Sequence, residues 1–71
     1  MTELQKAGIY EQFSDRVLRY MQSRVCDSCI AEDLCSEVFV KVYEKLDRYD
    51  PEKASLSTWV FTIARNTLTG Y

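Results

Sequence analysis

The sequence predicts an all-α fold, a compact bundle of three main helices, on three observations. Apolar residues recur at steps of three and four along most of the 71-residue chain. Its few breakers, one proline and two glycines, leave long stretches free for helix. With 46% hydrophobic and 28% charged residues, the composition is that of a soluble globular domain, and a chain this short holds a single small core.

The first element opens on Thr2-x-x-Gln5, a capping-box pattern, followed by Leu4, Ile9, Phe13, Val17, Tyr20, Met21 and Val25 at helical spacing. Gly8 leaves its start open. A short extra N-terminal turn followed by a helix from about Ile9 or Tyr10 to Val25, and one continuous rod, both satisfy the pattern.

Cys26-Asp27-Ser28 forms a connection, where Asp27 or Ser28 can cap the second helix. Glu32 and Asp33 are expected in its first turn, where the helix dipole favours negative charge. Ile30, Leu34, Val38, Val42, Leu46 and Tyr49 then give the strongest periodic signal of the chain. A helix from about Ser28 to Arg48 would be roughly 30 Å long at 1.5 Å per residue. Phe39 and Tyr43 widen its apolar stripe, and Glu37, Lys41, Glu44 and Lys45 cover its outer side, with Glu37 and Lys41 as an i, i+4 ion pair.

Asp50-Pro51-Glu52-Lys53 ends that helix, because proline disfavours helical geometry at Asp50 and suits the second position of a turn. Ser55 or Ser57 can cap the third helix, which frays toward Thr69-Gly70-Tyr71. Leu56, Trp59 or Val60, Ile63 and Ala64 fall on one side of it; Thr58, Thr62, Arg65, Asn66 and Thr69 fall on the other. A solvated face usually carries lysine and glutamate, so a side of threonines, asparagine and one arginine, with Phe61 nearby, points to a ligand other than water.

Net charge is −2 and the pI about 5.0, which alone argues against a nonspecific nucleic-acid binder. The distribution is uneven. From Cys26 to Glu52 there are eight acids against three bases, whereas from Lys53 to Tyr71 there is no acid, only Lys53 and Arg65. An acidic middle beside an acid-free end fits two partner surfaces, the end being able to approach phosphates without repulsion.

Other chemistries find little support. The three cysteines, Cys26, Cys29 and Cys35, read as reduced thiols, and with no histidine they fall one ligand short of a closed zinc site. Glu32, Asp33 and Glu37 as metal carboxylates are weaker than the same residues as dipole partners or contacts. No glycine-rich phosphate loop or nucleophile–base pair is present, so neither an enzyme, a cofactor nor a bound metal is expected. No apolar run is long enough to cross a bilayer and no signal-peptide core precedes the first helix, so the expected location is cytoplasmic, without membrane contact.

Three runs in order, Ala31-Glu32-Asp33-Leu34-Cys35-Ser36-Glu37-Val38-Phe39-Val40-Lys41-Val42-Tyr43, then Leu46-Asp47-Arg48-Tyr49-Asp50, then Thr58-Trp59-Val60-Phe61-Thr62-Ile63-Ala64-Arg65-Asn66, closely resemble the second conserved region of bacterial sigma factors. The likeness is to the extracytoplasmic-function (ECF) group of the sigma-70 family, from about Tyr10 to Tyr71. It implies a role in transcription initiation, docking on the clamp coiled coil of the RNA polymerase beta-prime subunit and recognising and melting the promoter minus-ten element. By position, the polymerase contacts implied are Glu32, Asp33, Ser36, Glu37 and Val40.

The implied DNA surface, for the nontemplate strand, comprises Lys53, Ser55, Ser57, Phe61, Thr62, Arg65 and Asn66. The loop Asp50–Ser57 would capture a flipped base, Asn66 would read bases, Lys53 and Arg65 would take phosphates, and Phe61 would offer a stacking face. Trp59 lies with Ile63 on the apolar side and is read as core packing in preference to a base contact.

Some positions depart from the family pattern. Ser36 stands where glutamine is usual, and Gly70 where aspartate commonly precedes the tyrosine. The chain stops before the basic residues that usually follow, and the fourth-region domain is missing, so a fragment of a longer factor that binds DNA weakly by itself is expected. An anti-sigma partner is compatible with the resemblance, although no residue displays it. The alternative is a helical protein-interaction module derived from a sigma factor, without DNA binding.

Overall fold

The computed structural model describes residues 3–70, with side chains from residue 8 onward. Helix α1 spans Glu3–Arg24, α2 Ser28–Lys45 and α3 Leu56–Thr69; a single 3-10 turn, Leu46–Arg48, extends α2. Helices α1 and α3 both pack on α2, and more sparsely on each other. Among the described residues there is no strand.

Helix α1 is one continuous rod through Gly8. Its buried side is Ile9, Phe13, Val17 and Met21, at four-residue steps, and docking that stripe offsets the roughly 1 kcal/mol that a helical glycine costs. Thr2 of the expected capping box lies outside the described residues, as does Tyr71 at the other end.

Helix α2 begins where its cap requires. The Asp27 carboxylate accepts from the Cys29 amide at 2.8 Å and the Ile30 amide at 3.4 Å, satisfying two otherwise orphaned donors. Glu32 and Asp33 therefore fall one turn further in than expected: the first turn itself holds no acid, and Asp27 supplies the negative charge at that end. Ala31, Leu34, Cys35, Val38, Phe39 and Val42 form the inner side, with Val38 and Val42 fully enclosed. The expected end at Arg48 holds only as a tightened 3-10 turn, which directs Leu46 into the core and releases the chain at Tyr49.

The connection to α3 is hydrogen-bonded. Lys53 donates its amide to the Asp50 carbonyl at 3.1 Å around Pro51, and the Asp50 carboxylate accepts from the Glu52 amide at 2.9 Å. The Tyr49 hydroxyl donates to the Ala54 carbonyl at 2.9 Å, and its ring packs on Trp59 at 4.9 Å. Ser55, not Ser57, caps α3 by accepting from the Thr58 amide at 3.2 Å.

Helix α3 buries Val60, Ile63, Ala64 and Thr67. Thr67, 3% exposed, donates to the Ile63 carbonyl at 2.8 Å and accepts from Lys41 Nζ at 3.2 Å, a link from α2 to α3. Trp59 is half-buried and packs against the core from its edge, as do Leu56 and Leu68 at other points of α3. No helix is long and apolar enough to cross a membrane among the described residues.

Candidate nucleic-acid and partner interfaces

The five residues singled out on α2 share one side. Glu32, Asp33, Ser36, Glu37 and Val40 are all exposed, within an arc of about 140° opposite the buried stripe at 100° per residue. The Glu37 carboxylate lies 3.7 Å from Lys41 Nζ in the expected i, i+4 pair. Val40 is 54% exposed, one of two large apolar side chains left open to water among the described residues. The other, Tyr10, 51% exposed, is on α1 and meets the Phe39 ring edge-on at 5.0 Å. Tyr10 escaped the sequence reading because it falls between the buried positions Ile9 and Phe13, so the periodicity of α1 gives it no role.

A second surface forms where α1 and α3 meet. An open recess of about 420 Å³ is lined by Tyr20, Ser57, Thr58, Phe61, Thr62 and Arg65. Of the predicted DNA residues, it brings together Ser57, Phe61, Thr62 and Arg65. Lys53 is exposed on the preceding turn, Ser55 is engaged in capping, and Asn66 is exposed on α3 without lining the recess.

Two details alter the chemistry expected there. Phe61 is half-buried, meeting Phe13 at 6.5 Å and Tyr20 at 5.9 Å edge-on, with the Arg16 guanidinium 5.4 Å from its ring centre. It is a wall of the recess rather than an open stacking plate. The threonine hydroxyls of Thr62 and Thr69 lie 2.8 Å and 2.9 Å from the carbonyls of Thr58 and Arg65, four residues back. Their protons are spent within the helix, so they present an acceptor and a methyl group, which suits a base edge better than a phosphate.

Arg16 and Tyr20 are the residues that sequence reading missed. Arg16 donates to the Ser57 hydroxyl at 3.4 Å across the α1–α3 seam. The available signal was the spacing Arg16, Tyr20, Arg24, an i, i+4, i+8 stripe of basic and aromatic groups.

The cysteines separate into two environments. Cys26 and Cys29 are exposed at the start of α2, and Cys35 is buried on its inner side, 3.9 Å from the Ser14 carbonyl. Burial pushes the Cys35 thiol above its ordinary pKa. Among the described residues no three cysteines or carboxylates gather closely enough to hold a metal ion.

A helical bundle with an acidic outer side on one helix and an acid-free recess beside another carries two chemically distinct surfaces. Residues 9–71 match the family described as Sigma-70 region 2. The chain belongs to that family, in its ECF group. It is 38% identical over 58 residues to the ECF RNA polymerase sigma factor BldN of Streptomyces coelicolor, a match covering 82% of this chain and 22% of that protein. It is 33% identical over 60 residues to the ECF sigma factor RpoE of Cereibacter sphaeroides (84% of this chain, 33% of that protein). With the ECF sigma factor SigM of Bacillus subtilis the identity is 35% over 63 residues (89% and 37%). The chain thus spans between 22 and 37% of the length of these relatives. No solved structure matches it.

Proposed function

We propose that this chain acts in transcription initiation as a sigma region 2 domain, docking on the RNA polymerase beta-prime clamp coiled coil through α2 and engaging the nontemplate strand of the minus-ten element through α3. The observation that carries the reading is the division of charge in space. The outer side of α2 presents Glu32, Asp33 and Glu37 around an exposed Val40, whereas the recess wall contains Arg65 and no carboxylate. An apolar anchor ringed by acids fits a basic partner helix, with charge-assisted hydrogen bonds at the rim. The carboxylate-free wall admits a polyanion.

Because the two surfaces draw on different residues, docking and strand binding proceed together. Asn66 reads base edges, Arg65 and Lys53 take phosphates, and the Asp50–Ser57 segment receives a flipped base.

The test is binding of the chain to an isolated beta-prime clamp coiled coil, by titration to high micromolar concentration. Glu37→Lys is expected to abolish it, and Val40→Asp to abolish it while changing stability by no more than about 0.5 kcal/mol, as for most exposed sites. No association of the wild-type chain overturns the docking reading. In parallel, equal affinity for minus-ten and scrambled single strands overturns the DNA reading and favours a protein-interaction module.

A further inference from the structure

We propose that α1 supplies the second wall of the DNA track, with Arg16 and Arg24 binding the sugar-phosphate backbone of a single strand whose bases face α3; this rests on the reading of α3 as the DNA-facing helix. Arg16, Tyr20 and Arg24 stand at four-residue steps, a stripe about 12 Å long at 1.5 Å per residue. The Arg16 guanidinium lies over the Phe13 and Phe61 rings at 5.2 Å and 5.4 Å, and that of Arg24 over Tyr20 at 5.2 Å. Tyr20 in turn meets Phe61 and lines the recess, so cations and rings alternate along the seam between the helices.

The chemistry of these groups selects a phosphodiester backbone. A guanidinium has five N–H donors, and Arg16 directs one to Ser57. Neither arginine is paired with a carboxylate, the ion pair among the described residues being Lys41–Glu37. Seating on aromatic rings holds each fork in place before a ligand arrives, which lowers the entropy cost of binding. Thr62 and Thr69 of α3 have their protons turned inward, so the charged donors for an anion along this seam are arginines. A chain of net charge −2 has little general attraction for a polyanion, so its cations must act where they are concentrated. Beyond Glu52 only Lys53 and Arg65 are available, and Arg16 and Arg24 double that number.

The experiment follows fluorescence anisotropy of a labelled minus-ten single-stranded oligodeoxynucleotide with the 71-residue chain through a salt series. Removing two phosphate contacts in Arg16→Gln/Arg24→Gln is expected to lower the slope of log K against log salt by about 1.4, at about 0.7 per contact on single strands. Arg16→Lys/Arg24→Lys retains the slope. Arg19→Gln, which removes an exposed charge from α1 that lies over no ring, leaves it as in the wild type. Should Arg16→Gln prove unfolded by circular dichroism, Arg24→Gln alone, at the end of α1, carries the test with half the slope change. A wild-type slope in the glutamine variants, or an equal loss in Arg19→Gln, overturns the proposal while leaving α3 as the DNA-facing helix. Failure of the wild-type chain to bind overturns both.

Discussion

Tyr49→Phe isolates one hydrogen bond that holds the segment between α2 and α3. In the native chain the Tyr49 hydroxyl reaches the Ala54 carbonyl at 2.9 Å, and the ring stays 4.9 Å from Trp59 whether or not the hydroxyl is present. Removing the hydroxyl deletes one partly buried bond, a cost of about 1 kcal/mol, since a half-exposed carbonyl can turn to water. Unfolding entropy near 60 °C is about 2.1 cal/mol/K per residue, or about 150 cal/mol/K for this chain, so Tm should fall by about 7 °C. Tyr49→Ala also removes the ring pair and its burial, and is expected to cost about 2–3 kcal/mol, less than a fully buried aromatic.

The assay is thermal unfolding by far-ultraviolet circular dichroism together with the emission of Trp59, the sequence's only tryptophan. Tyr49→Phe should lower Tm yet leave the emission spectrum unchanged, and Tyr49→Ala should shift the emission to the red. A Tyr49→Phe Tm within about 2 °C of wild type would refute the assignment of this bond as the clasp of the connection.

Gly8→Ala should raise Tm by about 5–7 °C, because an added Cβ meets nothing within 4 Å and a helical glycine costs about 0.8–1.0 kcal/mol against alanine; a scanning calorimetry shift near zero would contradict the continuity of α1. Maleimide should label Cys26 and Cys29 rapidly in the native chain and Cys35 only on unfolding, as mass spectrometry can count. The raised Cys35 pKa also gives a sign: the folded chain disfavours the thiolate, so this stabilisation is complete below the ordinary value of 9.0 and is lost as pH rises through the higher folded value. Urea unfolding of Cys35→Ala should show a flatter alkaline limb than wild type.

The three helices and the inner side of α2 were legible because burial repeats at helical spacing. Ile30, Leu34, Val38, Val42 and Leu46 announce one side of one rod whatever packs against it, and all but Ile30 are buried. The start of α1 was not legible, since Gly8 has a local cost whereas the compensating contacts of Phe13 and Val17 come from elsewhere in the chain. The cap was narrowed to two residues, but which of Asp27 or Ser28 accepts depends on backbone angles that composition does not state. The positions Glu32, Ser36 and Val40 could be placed on an outer side by spacing alone. The recess could not. Phe61 projects next to Arg65 on a helical wheel, and nothing local says that Phe13, Arg16 and Tyr20 of α1 close over it. The spacing likewise gave Thr67 no role, because the Lys41 that reaches it lies on another helix.

The central position of α2 bears on how quickly the molecule assembles. Each of its two principal seams joins helices adjacent in sequence, α1 with α2 and α2 with α3, so most of the ordering entropy is spent on short loop closures. Helical domains of such low contact order fold on the microsecond to millisecond scale. A lesion at Val38 or Val42 strikes a helix that both seams share, and should slow folding and hasten unfolding alike, whereas one at Leu68, on the margin, should leave the folding rate nearly as it was and speed only the return to the unfolded chain.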